Sequence, residues 1–456
     1  MSFKTYFQKD MYDILNSEKV KGLQLEKLRL RMQHFYVKSL LIKIVLDAMD
    51  IVPSEITMEQ FRKAVPIRLQ REAAESGASM VSDDANIVDQ LASLTGEDPQ
   101  NFKLLCSTSG TTGDPSPYFF TEEDLEYAAQ GFSRGLYLLN NGDEEKIKQL
   151  RVLQGFALSM VGAGLPAVET FIRLGIPVIP VGAEGGTEKI FYFTEKFGAN
   201  FLFCTPSLAE YMLDTQPDRS KSLGLNRIMC GAEPGAGIPE LREKIQTGFN
   251  CKLCDAMGLV WGVMFVSCDE DEYQGMHFLS DDLAIVELVD PDSHAHIPFE
   301  NGAIGQIVLT PLVGSMPPIR VSSGDIVQVF TDPCKCGAPG WRMKVIGRSD
   351  DMLKVKGVVV YPAAIDGVIT GFAPRVTGAF KILLEEPPPR VSPPLKMKVE
   401  YSEEINEAEI SSLSKEIENE MHVKLKVRPQ IEMVPPMSID RATYKTNFFE
   451  KLYEDT

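Results

Sequence analysis

The sequence predicts an α/β protein: a large N-terminal domain with parallel sheets flanked by helices, containing a β-rich subdomain, and then a small α+β C-terminal domain. Three observations carry this. Between about residues 103 and 260, short apolar runs alternate with helical segments, the pattern of parallel strands joined by helical crossovers. From 283 to 330 the pattern becomes period-two strands divided by Gly and Pro turns. Beyond 351, strands bracket one amphipathic helix, enough chain for a second, smaller domain.

In chain order, residues 1–100 read as mainly helical. LQLEKLRLRMQHFYVKSLLIKIVLDAM places apolar residues at helical spacing and stops near the Pro53 turn. KLLCSTS, LRVLQGFAL, GIPVIPVG, ANFLFCTPS and NRIMCGAEPG read as strands running into loops, with EKIFYFTEKFG and IPELREKIQTG as helices. LAIVELVD, AIGQIVLTPL and DIVQVF are the strands of the β-rich part, placed at about 262–346. KMKVEYS and VKLKVRPQIEMVP flank the helix NEAEISSLSKEIENEM. The expected division is 1–346 for the large domain, 347–351 for a connecting segment and 352–456 for the small domain.

Composition narrows the function. The 456 residues carry a net charge of −18, with 44% apolar and 24% charged residues. That is the balance of an ordinary globular chain, but without the basic footprint that nucleic acid or an anionic membrane surface demands. The N-terminus lacks the features of a secretory signal. The longest charge-free apolar stretch, 152–168, is too short to span a bilayer and is interrupted by Gly155, Gly162, Gly164 and Pro166. Eight cysteines without an export signal point to reduced thiols or metal ligands. A soluble cytoplasmic protein is expected.

The segment with most chemistry is STSGTTGDPS, 107–116, read as following a strand and preceding the helix TEEDLEYAAQGF. Gly110 and Gly113 permit tight turns that aim backbone N–H groups at an anion, and Thr108, Ser109, Thr111 and Thr112 add hydroxyl donors. A phosphate-binding loop follows, though not a P-loop, because the Gly-Lys-Ser/Thr ending is absent.

In six places the chain resembles the adenylate-forming acyl-CoA synthetases of the phenylacetate–CoA ligase branch. These are STSGTTGDPS, the turn GAEGGTEKI, GAEPG at 231–235, SSGD at 322–325, GRSDDMLKVKGVVVYP at 347–362 and RATYK at 441–445, in the family's order over roughly 25–455. The resemblance implies an ATP-dependent acid–CoA ligase using ATP, Mg2+ and CoA on a small carboxylic acid. Gly231, Ala232, Glu233 and Pro234 would border the adenine, and Asp255 would accept from its amine. Asp325 would take the ribose hydroxyls, with Arg348 as a bidentate donor to ribose or phosphate. Asp350 would be the hinge of a mobile small domain, and Lys445 the cation at the α-phosphate. Relatives are often dimers, so a homodimer is one possibility, and the sequence leaves the oligomeric state open. The same resemblance admits other acceptors (an amine, a carrier-protein thiol or an F420-type cofactor).

The chain departs from that family where Tyr-Gly-x-Ser/Thr-Glu is usual. Here Met257 takes the aromatic position, Gly258 is kept, and Trp261 stands in place of the magnesium-binding glutamate. A hard cation wants oxygen ligands, so a catalytically impaired nucleotide-binding relative is a further reading. Asp114 replaces a common lysine, and Ser322 and Ser323 replace an arginine and a threonine. Phe156, Met160, Trp261 and Met264 are candidate walls of an apolar acyl pocket, and core packing accounts for them nearly as well.

Cys334 and Cys336 of PCKCG, with Cys268 and His277 of SCDEDEYQGMH, make the donor set that structural zinc prefers. Cys251 and Cys254 are a rival pair, but on a strand positions i and i+3 point to opposite faces. His294 and His296 are assigned no role.

Overall fold

The computed structural model describes residues 2–38, 40–69, 86–107, 117–159, 162–259, 262–270, 272–315, 320–440 and 447–453. Five parallel strands form one half of the main sheet, in the order Val178–Pro180, Val152–Gln154, Phe201–Cys204, Arg227–Cys230 and Lys252–Leu259. The three inner strands, Val152–Gln154, Phe201–Cys204 and Arg227–Cys230, are buried throughout, as a parallel sheet covered on both faces requires. The crossover helices start where the sequence dictates. Thr205 caps Pro206–Thr215 by accepting from the Leu208 N–H, and proline occupies the first turn of both that helix and Pro239–Phe249. Gly198 ends Thr187–Phe197 in the left-handed region, at φ +59°.

The last parallel strand, Lys252–Leu259, is also the first antiparallel one. It pairs with Val263–Ser267, and the sheet continues through Met276–Phe278, Arg342–Arg348, Val321–Phe330, Ile304–Pro311 and Ala284–Val289. The β-rich part is thus a continuation of the parallel sheet. Ile304–Pro311 is buried almost throughout, so its residues lack the period-two burial expected of a strand with one wet face. Helices Glu18–Lys38, Leu40–Ala48 and Met58–Ala64 supply Leu28, Met32, Phe35, Leu46 and Phe61 to a core shared with Ile285 and Leu312.

Buried ion pairs tie the antiparallel strands to the long helix Glu122–Leu139 and to one another. Arg134 grips Asp282 through two hydrogen bonds, at 2.5 and 2.9 Å, and also donates to the Leu279 carbonyl. Arg320 holds Glu287 at 3.0 and 3.2 Å.

After Arg348 the chain builds a separate core around Leu353, Ile365, Phe380, Met397, Leu413 and Met421. A four-stranded sheet, ordered Pro429–Val434, Leu395–Tyr401, Val376–Leu384 and Phe449–Lys451, packs with helices Pro362–Thr370 and Ile410–Leu425. Helix Pro362–Thr370 rests against Pro239–Phe249 of the large domain. There, a side chain on Gly367 would come within 3.6 Å of Ile238.

Candidate active site

Ligands of open α/β sheets bind beyond the carboxyl ends of the strands. Here those ends carry Gly155 and Phe156, Thr205, Gly231 to Gly235, and Asp255. The register sets Cys230 beside Asp255, so the loop Gly231–Ala232–Glu233–Pro234 leaves the sheet next to the carboxylate expected to recognise adenine. Gly231 is required by close packing, since a Cβ there would lie 2.5 Å from the Ala256 carbonyl oxygen. Ala232 has φ +70°, a conformation that an L-residue adopts only when its surroundings impose it. Glu233 turns back and accepts from the Ser207 N–H at 2.7 Å, at the start of helix Pro206–Thr215, where negative charge is favoured.

Asp255 is buried; its N–H donates to the Ser267 hydroxyl at 2.9 Å, and Tyr273 donates to its Oδ2 at 2.5 Å. Burial pushes its carboxyl up to about 6, against the pull of Tyr273, Arg242 and Lys344. Met257 is half-buried on the same strand, and Gly258 is exposed. Phe156 and Met264 lie in one buried cluster with Phe203 and Ala256, beneath the strand ends. The turn at Gly182–Gly186 is tied to this region by Glu184, which accepts from the Leu158 and Ser159 N–H groups at 3.1 and 3.0 Å.

Asp325 sits on the antiparallel part of the sheet. It lies within strand Val321–Phe330, just after Gly324 at φ +84° and just before a register shift at Ile326. Antiparallel pairing sets Asp325 opposite Arg348. Arg348 donates to both oxygens of Asp350 at 2.8 and 2.9 Å and approaches Asp325 at 3.4 Å. Asp325, Arg348 and Asp350 thus form one chain of charges. Gly347 is obligatory here, since a Cβ would stand 2.4 Å from the Tyr361 ring.

Thr108, Ser109, Gly110, Thr111, Thr112 and Gly113 lie outside the described residues, as do Met160, Trp261 and Lys445. The residues around the first group correct one expectation. Leu104–Ser107 pairs with Pro117–Phe120 as a separate two-stranded sheet, with Ser107 opposite Pro117, so a second strand stands between the phosphate motif and helix Glu122–Leu139. Asp440 and Asn447, on either side of residues 441–446, line a cleft of about 270 Å³ between the two domains, together with Glu233 and Gly235.

The four predicted metal ligands converge: Cys268, His277, Cys334 and Cys336 place their donor atoms within 4.8 Å of one another. Cys268 and Cys334 sulfurs are 3.8 Å apart, and zinc–sulfur bonds of about 2.3 Å in a tetrahedron require roughly that spacing. Cys336 Sγ is 3.4 Å from His277 Nε2, while Nδ1 lies 3.2 Å from the Pro339 carbonyl, the outer-shell partner that orients a metal-binding histidine. The hydrogen bond from Cys336 holds the Cys268 thiol down to about 4, and the same contact raises Cys336. Cys254 is instead fully buried in the core, and Cys251 is half-buried at the strand start.

Residues 357–450 match the AMP-binding enzyme C-terminal domain family. The phenylacetate-coenzyme A ligase of Thermus thermophilus is 29% identical over 325 residues, covering 69% of this chain and 70% of that protein. The chain is a relative of the phenylacetate–CoA ligases among the adenylate-forming enzymes. A solved 2-hydroxyisobutyryl-CoA ligase in its postadenylation state has the same fold, at 20% identity, TM-score 0.83 and coverage of 98% of this chain and 92% of that one. The thioesterification state of that ligase overlays at 0.65, with 22% identity and coverage of 97% and 91%.

Sequence reasoning missed Tyr273, Gly237 and Asp366. Tyr273 falls in a loop between two candidate metal ligands, and nothing in its neighbours signals a contact with Asp255.

Proposed function

We propose that this protein is an AMP-forming acid–CoA ligase acting through an acyl-adenylate. The observation that carries the reading is the cleft in which the loop at Glu233 and Gly235 faces the chain on both sides of RATYK. A nucleotide held by the Gly231–Pro234 loop, Asp255 and Asp325 would present its α-phosphate toward Lys445, with the Thr108–Gly113 segment on the outer phosphates. The substrate carboxylate attacks the α-phosphorus and pyrophosphate leaves; Lys445 neutralises the charge that builds on the phosphate oxygens. The small domain, 352–456, then turns about 347–351 on the large domain, 1–346. Turning at Asp350 gives up its two hydrogen bonds from Arg348. CoA thiol then attacks the acyl carbonyl and AMP leaves. Phe156, Met160, Trp261 and Met264 favour an aromatic or other apolar acid.

The Cys268, His277, Cys334 and Cys336 set fits a zinc ion, which would supply a cross-link between two loops of the antiparallel sheet and no step of the reaction. Magnesium is different. At the position where relatives carry its glutamate, Trp261 offers no oxygen, so no residue here is assigned to it. Trp261 therefore favours one second reading, a nucleotide-binding relative without turnover.

The test is pyrophosphate release over a panel of aryl, arylacetic and fatty acids with ATP, and then product mass with CoA. Lys445→Ala should lower adenylation roughly a hundredfold or more. Release unchanged by that substitution removes Lys445 from the chemistry. ATP binding with no release on any acid supports the second reading.

A further inference from the structure

The metal-ligating loop reaches the nucleotide side of the sheet through one side chain. Tyr273 lies between Cys268 and His277, and its hydroxyl meets Asp255 Oδ2 at 2.5 Å. Gly237, in the short turn after the adenine loop, makes the pair possible. A Cβ there would stand 3.1 Å from Asp255 Oδ2 and 3.2 Å from the Tyr273 hydroxyl. Two cations bracket the ring, the Arg242 guanidinium at 5.2 Å and the Lys344 ammonium at 5.8 Å from its centroid. Arg342 donates to the carbonyl of the next residue, Gln274, at 3.0 Å and approaches its side-chain oxygen at 3.3 Å. A zinc ion on Cys268 and His277 would fix the ends of the loop, and Arg342 holds its middle.

A phenyl ring would fill this space equally well, so what the tyrosine adds is its O–H. A carboxylate presents about four lone-pair directions, and fixing one oxygen fixes the plane of all of them. Asp255 receives a second restraint from the backbone, through its N–H to Ser267. A carboxylate held this rigidly discriminates sharply. It rewards an exocyclic amine that donates, and it opposes a base that presents a carbonyl oxygen at the same place.

We propose that Tyr273 is a positioning residue for base recognition: its hydroxyl sets the plane of Asp255 so that the site prefers adenine to a 6-oxopurine, and the metal-ligating loop holds it there. The inference rests on the reading of Asp255 as the acceptor of the adenine amine.

The experiment is calorimetry on the full-length, metal-loaded protein with ATP, and with GTP in competition, for the parent and Tyr273→Phe. Removing one hydrogen bond to a charged group should weaken ATP about tenfold while leaving GTP unchanged, so the preference falls by the same factor. In turnover, KM for ATP should rise by that factor with kcat and the KM of the acid unmoved. In an Asp255→Asn background, Tyr273→Phe should have a much smaller effect, because the carboxylate it positions is gone. Equal weakening of ATP and GTP assigns Tyr273 to general loop packing and overturns the proposal. So does unchanged ATP affinity in Tyr273→Phe when the parent binds ATP. A parent that binds no adenine nucleotide overturns the Asp255 reading as well, and is thereby distinguished. A melting curve and metal content equal to those of the parent establish that Tyr273→Phe is folded.

Discussion

Asp366 should make the seating of the small domain depend on pH. It lies on helix Pro362–Thr370, half-buried, and lines the cleft with Glu210, Asp214, Glu233 and Asp440, while Lys381 contributes a cation and Lys244 is held by Glu210 and Asp214. Burial, then repulsion from Glu210 and Glu233, pushes its carboxyl from 3.8 to about 8, against the Thr370 hydroxyl at 3.3 Å and Lys244. With the domains apart, Asp366 meets water and titrates in the ordinary range. The docked state therefore holds a proton that the undocked state releases. This contribution to docking is complete below about pH 4 and is lost as pH rises through about 8. Counted in full, the displacement is worth roughly 6 kcal/mol. Asp366 keeps part of its surface in the cleft, and solvent screening reduces that to about 2–3 kcal/mol, or about a 30- to 150-fold change in the docked-to-undocked ratio. The assay is energy transfer between dyes on the two domains, without nucleotide, at about pH 5.5 and about pH 8.5, a window that spans a little over half of that change. Docking should weaken at the higher pH, and Asp366→Asn should abolish the difference. A distance independent of pH, or a variant that titrates like the parent, refutes the reasoning.

Two further outcomes follow from residues already placed. Purified protein should carry one equivalent of zinc, and Cys336→Ser or chelation should lower its melting temperature by several degrees, as a loss of roughly 2–4 kcal/mol does; zinc below about a tenth of an equivalent removes the site. Asp282→Asn leaves the Arg134 guanidinium buried beside a neutral amide, and denaturant titration should record a loss of about 3–5 kcal/mol; a cost under about 1 kcal/mol means that the pair is not what binds the long helix to the sheet.

The sequence alone determined the strand–helix alternation, because the period of apolar residues is a local property that burial on one or two faces imposes. It determined the six motifs and the composition of the metal set, because the chemistry of thiolate, imidazole and glycine turns is carried by residue type and spacing. The convergence of Cys268 and His277 with Cys334 and Cys336 was foreseen on those grounds and is found. What only the tertiary structure decided depends on register and on contacts across long sequence separations. Asp325 faces Arg348 because two antiparallel strands pair in one register and not its neighbour. The antiparallel strands extend the parallel sheet because Lys252–Leu259 pairs both ways. Tyr273 meets Asp255, and Asp366 meets Glu210 and Glu233, only after the loop and the small domain have packed. Such contacts leave no periodic trace, since a single hydroxyl or carboxyl looks the same in sequence whether solvent or a buried partner awaits it.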